Sequence, residues 1–103
     1  MKFTIIISTY PTKKFVSEFA TELVKSKIVA CVNFSKISSI YSWDGKIENN
    51  SEYIAIFKTS LKNKNLLKKK IKDSHPYDVP EIVELAPNSV NKPYLNWLIN
   101  STN

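Results

Sequence analysis

The dipeptide Asp44-Gly45 is the feature that most constrains how this chain can fold. It stands between two runs of alternating residues, 38–43 and 46–48. Both central positions of a type I′ turn require positive φ, which aspartate and above all glycine tolerate, so this pattern predicts a β-hairpin. Gly45 is also the only glycine in the sequence. A glycine-rich loop that cradles phosphate is therefore excluded.

The remaining apolar periodicity predicts strands and helices on both sides of this hairpin. Thr12 is the predicted N-cap of a first helix, and the His75-Pro76 pair ends a second one because the residue before proline avoids helical geometry. The predicted strands cover residues 3–9, 28–34, 52–59 and 79–85. Residues 49–51 are predicted to separate the hairpin from the third strand. Residues 91–100 are predicted to form a C-terminal helix.

The order of these elements is βαββαβ followed by one more helix. This is the split βαβ arrangement, so we predict an α+β, ferredoxin-like fold with an antiparallel sheet and an extra C-terminal helix. At 103 residues, residues 1–103 are predicted to form a single domain, since two halves would each be too small to hold a core.

Composition narrows the class of protein further. Hydrophobic residues make up 43% of the chain, which excludes intrinsic disorder, and no apolar run approaches the ~20 residues of a membrane span. Cys31 is the only cysteine and cannot form an internal disulfide. We therefore expect a soluble protein in the reducing cytoplasm.

The charge argues against two classes of function. All 15 basic residues are lysine, against nine acids, for a net charge of +6. Without arginine the chain lacks the bidentate group that grips phosphate, so acylphosphatase-like hydrolysis is excluded and we expect no enzymatic activity. An RNA-recognition module shares the element order, but it needs a glycine-containing third strand with exposed aromatic residues, and residues 52–58 contain no glycine. Specific nucleic-acid binding is not expected.

Two of the predicted strands are apolar on both faces. Residues 5–7 are three consecutive isoleucines, and residues 53–57 contain no polar break. An antiparallel sheet with helices on one face alone should alternate apolar and polar residues. We therefore predict a homo-oligomer, in which the sheets of different copies pack together or extend edge to edge.

Several motifs resemble the CutA divalent-cation tolerance family. They are ACVN at residues 30–33, SIYSWDGKI at 39–47, Glu52, KT at 58–59, SHPYDVPEI at 74–82 and YLNWL at 94–98. The resemblance extends from about residue 3 to residue 98. It implies a ferredoxin-like subunit in a homotrimer similar to PII signalling proteins, with a role in tolerance of copper and other divalent cations.

The resemblance also names candidate metal ligands. Some copper-binding members carry a cysteine where this chain has Ser8 and a second histidine where it has Ser74. His75 remains, and Cys31 is a second soft donor. Copper or another divalent cation is thus the candidate cofactor, bound weakly. The alternatives are a histidine that only stabilises a turn and a cysteine that packs as a small hydrophobe.

Two further groups of residues are candidate binding surfaces. Trp43 and, on the same face by alternation, Tyr41 are predicted to contact a neighbouring subunit of the trimer. Motif residues that combine charge with aromatic surface are predicted to line a cleft between subunits that binds a small ligand or ion: Glu52, Lys58, Tyr77 and Glu81. A metabolite-binding signalling trimer without a metal role is the alternative function, and structural ion pairs are the alternative role of these residues.

Overall fold

The computed structural model describes residues 2–103 and contains one four-stranded antiparallel sheet with the strand order β2-β3-β1-β4. This confirms the predicted ferredoxin-like order with an additional C-terminal helix. None of the helices within residues 2–103 is long and apolar enough to cross a bilayer. The elements are β1 (Phe3–Tyr10), α1 (Lys13–Lys25), β2 (Cys31–Trp43), β3 (Lys46–Ser60), α2 (Lys64–Ser74), β4 (Val83–Leu85) and α3 (Lys92–Asn100).

The predicted hairpin is present, and it is longer than expected. Asp44 and Gly45 have φ values of 52° and 77°, as a type I′ turn requires. The predicted break at residues 49–51 was wrong, because these residues pair with 38–40 and continue β3. Backbone hydrogen bonds of a ladder do not depend on the side chains, so polar residues on an exposed strand do not end it. Residues 28–30 were also predicted as strand but lie before β2, in a buried connection.

The helix boundaries follow local rules. The Thr12 hydroxyl accepts a hydrogen bond from the Phe15 amide at 3.2 Å, which confirms the predicted N-cap. A 3₁₀ turn, Leu61–Asn63, precedes α2. His75 ends α2 in an extended conformation, with ψ of 133°, as its position before Pro76 predicts.

The fourth strand is shorter than predicted. Only Val83–Leu85 pairs with β1, opposite residues 5–7. Pro80 has no amide hydrogen to donate, and the chain before Val83 lies away from the ladder. β4 lies at one edge of the sheet, a position that tolerates a nearby proline.

One face of the sheet, here called the helix face, carries the main core. Ile6, Tyr10 and Phe57 on this face pack against apolar residues of α1 and α2. The most buried helical members are Val16, Leu23, Leu67 and Ile71. The apolar stripes of the two helices are thus covered by the alternate residues of β1 and β3.

The opposite face, here called the open face, is covered in part by α3. Phe3 and Ile5 pack there with Leu98, Tyr94 and neighbouring apolar residues. Part of the apolar character assigned to contact with a second copy is therefore explained within one chain. The expectation that two helices leave the whole second face bare was wrong, because α3 covers the part of this face that carries Phe3 and Ile5.

The hairpin extends beyond the rest of the sheet. Tyr10, the last residue of β1, pairs with Tyr53, so residues 37–52 pair only with each other. We call this two-stranded part the ribbon. Its tip carries three apolar side chains that are largely exposed: Ile40 (71%), Trp43 (54%) and Ile47 (75%).

Candidate functional site

An open groove lies where the base of the ribbon meets the segment between α2 and β4. Its volume is about 810 Å³. Thr9 and Pro11 lie at the end of β1, while the ribbon and the segment after α2 supply the two walls. These walls are formed by Tyr41, Trp43, Glu48, Asn50, Ser51 and Glu52 on one side, and by Pro76, Tyr77, Asp78, Val79 and Glu81 on the other.

One hydrogen bond joins the two walls. The Tyr77 hydroxyl donates to Glu52 Oε1 at 3.0 Å. Burial, the bond to Glu52 and its negative charge together raise the pKa of Tyr77 to about 12, so this hydroxyl keeps its proton at neutral pH. On the ribbon side, Asn50 Nδ2 donates to the Tyr41 hydroxyl at 3.0 Å. The groove is therefore preformed within one chain.

His75 holds the start of the second wall in place. Its ring stacks on Tyr10 with centroids 4.5 Å apart and an interplanar angle of 16°. The Tyr77 amide donates to His75 Nδ1 at 3.1 Å, and Nε2 lies 3.1 Å from Ser8 Oγ. Since Nδ1 accepts, the proton of the neutral ring is on Nε2, which donates to Ser8. Burial lowers the pKa of His75, which favours this neutral form.

The close pair of Ser8 and His75 has the residue types of a nucleophile and a base. Its protonation is wrong for that chemistry, because a general base must accept the serine proton at the nitrogen that here donates. Ser8 is also fully buried. The pair is therefore a structural contact that fixes the residue before Pro76.

The structure brings together most of the predicted cleft residues. Glu52, Tyr77 and Glu81 line the groove, and Tyr41 and Trp43 line it with them. Lys58 does not line the groove of one chain. It lies six positions from Glu52 on β3, opposite Ile5 on the open face. The strand register is responsible, because it moves Lys58 to the middle of the sheet.

The two candidate metal ligands are not brought together. His75 contacts Tyr10 on the helix face, whereas Cys31 pairs with Lys58 on the open face. Cys31 Sγ lies 3.7 Å from Asn33 Oδ1. Across residues 2–103 no three His, Cys, Asp or Glu side chains are close enough to hold a metal ion. Both ring nitrogens of His75 are already hydrogen-bonded, so a metal at either one must displace Ser8 or the Tyr77 amide.

Two features of the site were missed by sequence reasoning. Glu48 and Asp78 also line the groove, and the Ser8–His75 contact joins residues 67 positions apart. No local pattern signals that contact. Glu48 and Asp78 could have been found, since Glu48 directly follows the motif at 39–47 and Asp78 lies within the motif at 74–82.

The lysine-rich helix α2 is part of a different surface. Lys64 and Lys68 both contact Glu84 of β4, at 3.4 and 3.0 Å, and Lys69 pairs with Asp73 at 2.6 Å. The lysines hold the pKa of Glu84 below its usual value, with Lys68 as the main cause. These are exposed pairs of small energetic value, on a helix face that contacts solvent.

Comparison with known proteins identifies the family. The sequence model of the family described as CutA1 divalent ion tolerance protein matches residues 4–101. This chain belongs to that family. The predicted family and its ferredoxin-like fold are both confirmed.

Relatives from distant organisms match almost the whole chain. The divalent-cation tolerance protein CutA of Pyrococcus horikoshii is 39% identical and covers 95% of this chain and 96% of its own length. The rice protein CutA 1, chloroplastic, is 36% identical over 95% of this chain and 56% of its own length. The crystal structure of divalent ion tolerance protein CutA1 from Ehrlichia chaffeensis superposes with a TM-score of 0.94 at 32% identity, over 100% of this chain and 98% of that chain.

Proposed function

We propose that this CutA-family chain is a homotrimeric, PII-like binding and sensing protein that responds to divalent metal ions and has no catalytic activity. Its groove binds a small ligand or ion at the boundary between subunits. The observation that carries this proposal is the apolar ribbon, which one chain leaves exposed beside that groove.

The ribbon needs a partner. An isolated two-stranded hairpin is marginally stable in water, and this one has apolar side chains on both of its faces. By the register, Ile40 and Ile47 are diagonal neighbours on one face and Trp43 is on the other. Covering the face that carries Ile40 and Ile47 with a second copy would bury apolar area worth ~1.5–3 kcal/mol for each isoleucine.

The outer edge of β2 supports the same assembly. β2 is one of the two edge strands and runs for 13 residues, more than twice the usual length of a strand. Lys36 is its only charged residue. Proteins normally protect a long edge with charges, prolines or a cover, because its free amides and carbonyls pair with other chains. Pairing between copies would use these groups.

A non-catalytic role is supported by the groove and by the Ser8–His75 pair. The groove offers aromatic and carboxylate side chains at its walls, while the histidine proton is on the nitrogen that a base would need free. Because the carboxylates at the groove are dispersed, a metabolite-binding trimer without a metal role is the second candidate.

A cytoplasmic location is proposed from the single free cysteine, because a reducing compartment keeps such a thiol free. The rice relative is named as chloroplastic.

Light scattering behind gel filtration tests the assembly. At micromolar concentration we expect three times the 11.8 kDa of one chain. A stable species with the mass of one chain would overturn the proposal.

The metal part of the proposal gives a separate prediction. Copper(II) should bind weakly to the protein through His75, because binding must break one of the two hydrogen bonds of the ring. His75→Ala should abolish this binding, measured by titration calorimetry. An isotherm unchanged by His75→Ala would remove His75 from the site.

Ser8→Cys sharpens this test. Ser8 Oγ is 3.1 Å from His75 Nε2, so a thiolate at this position would supply a second soft donor beside the imidazole. We expect affinity for zinc(II), which is redox-inactive, to rise by about tenfold or more. Cys31→Ser is the control and should leave both isotherms unchanged, since Cys31 is on the other face of the sheet.

A further inference from the structure

The charge of the groove differs from that of the rest of the chain. Four of the nine acidic residues line it, although the net charge is +6. None of the 15 lysines is among the lining residues. These four are Glu48, Glu52, Asp78 and Glu81. A concave surface with one sign of charge raises the local concentration of the opposite ion, so the groove attracts cations and repels anions.

Aromatic rings line the same groove as these carboxylates. Trp43 is 54% and Tyr41 43% exposed, and both line the groove with Tyr77. The faces of such rings attract ammonium groups and also contact the methylene groups between them. The walls therefore suit a cation that has an apolar carbon chain.

The spacing of the carboxylates argues against a bare metal ion in this groove. A divalent ion needs several oxygen ligands at about 2.0–2.6 Å from one point. Within the described part of the chain, which includes every lining residue, no three acidic, histidine or cysteine side chains approach closely enough for that. One oxygen of Glu52 is also occupied by the Tyr77 hydroxyl.

We propose that the groove binds an organic polyammonium ion, a linear chain with two or more separated ammonium groups. Each ammonium group pairs with a different carboxylate, and the carbon chain between them lies along Tyr41 and Trp43. The volume of about 810 Å³ is within the range of small-molecule sites. This inference rests on the proposed function, because it assigns a ligand class to the same groove.

Titration calorimetry with spermidine at constant ionic strength tests the proposal. We expect saturable binding to the wild type. The double variant Glu48→Gln/Glu81→Gln should bind about tenfold more weakly, because two partly exposed ion pairs are lost. The matched control Glu18→Gln/Glu22→Gln makes the same change of charge on α1 and should stay within about twofold of the wild type.

Three results would overturn the proposal: no binding of spermidine, equal weakening in the two double variants, or displacement of spermidine by magnesium(II) at matched ionic strength. Light scattering on the same samples separates this inference from the proposed function. A trimer that does not bind spermidine contradicts only the ligand class. A single chain that binds spermidine with the expected effect of the variants supports the ligand class and contradicts the trimer.

Discussion

Replacing Ile47 by lysine should dissociate the assembly into single chains. Ile47 is 75% exposed in one chain, so the change costs little in the isolated subunit. In a trimer it removes about 2 kcal/mol of apolar burial from each copy and adds a charge that has to be desolvated. Because the contact occurs three times, the loss is about 6 kcal/mol or more for each trimer. Light scattering over a dilution series measures it.

Val24→Lys is the matched control for this prediction. Val24 is 43% exposed on α1, away from the ribbon, and a similar change from a branched apolar side chain to lysine should leave the mass unaltered. A mass that is unchanged in Ile47→Lys would show that the tip of the ribbon is not a subunit contact.

Tyr10→Ala should cause a large loss of stability in the single chain. Tyr10 is fully buried, with its ring between Phe15 at 5.4 Å and His75 at 4.5 Å. Truncating a buried aromatic residue costs about 3–5 kcal/mol. It also removes the surface against which His75 stacks, so the groove wall that contains Tyr77 loses its support. Denaturant unfolding measures the free energy, and spermidine titration measures the groove.

Tyr10→Phe is the control, since it keeps the ring and both stacking contacts. We expect the free energy of unfolding to change by less than about 1.5 kcal/mol. If Tyr10→Ala unfolds at the same denaturant concentration as Tyr10→Phe, then the stack does not link α1 to the segment after α2.

Most of the fold could be predicted from local signals. The turn at Asp44-Gly45, the cap at Thr12 and the stop at His75-Pro76 each act within four residues of the chain, so each is readable in one sequence. The errors occurred where a neighbouring element decides the outcome. Residues 49–51 are strand because β2 pairs with them. The length of β4 is likewise set by its neighbour, since it is limited to the three residues that pair with residues 5–7 of β1.

The site was less predictable than the fold. Glu52 and Tyr77 could be selected as motif residues with suitable chemistry. Their contact, however, depends on the path of the segment between α2 and β4, which passes from the helix face to the open face. Lys58 has similar chemistry and was selected with them, yet the register of β3 moves it out of the groove. The packing of α3 on Phe3 and Ile5 likewise depends on a helix whose position no local pattern indicates.

Amide hydrogen exchange over residues 37–52 tests most directly whether other copies cover the ribbon. A two-stranded ribbon in water opens readily and exchanges fast. If neighbouring subunits cover it, amides near Ile40 and Ile47 should be protected as strongly as those of β1 in the middle of the sheet. Fast exchange at these residues, in a sample whose β1 amides are protected, would contradict the account.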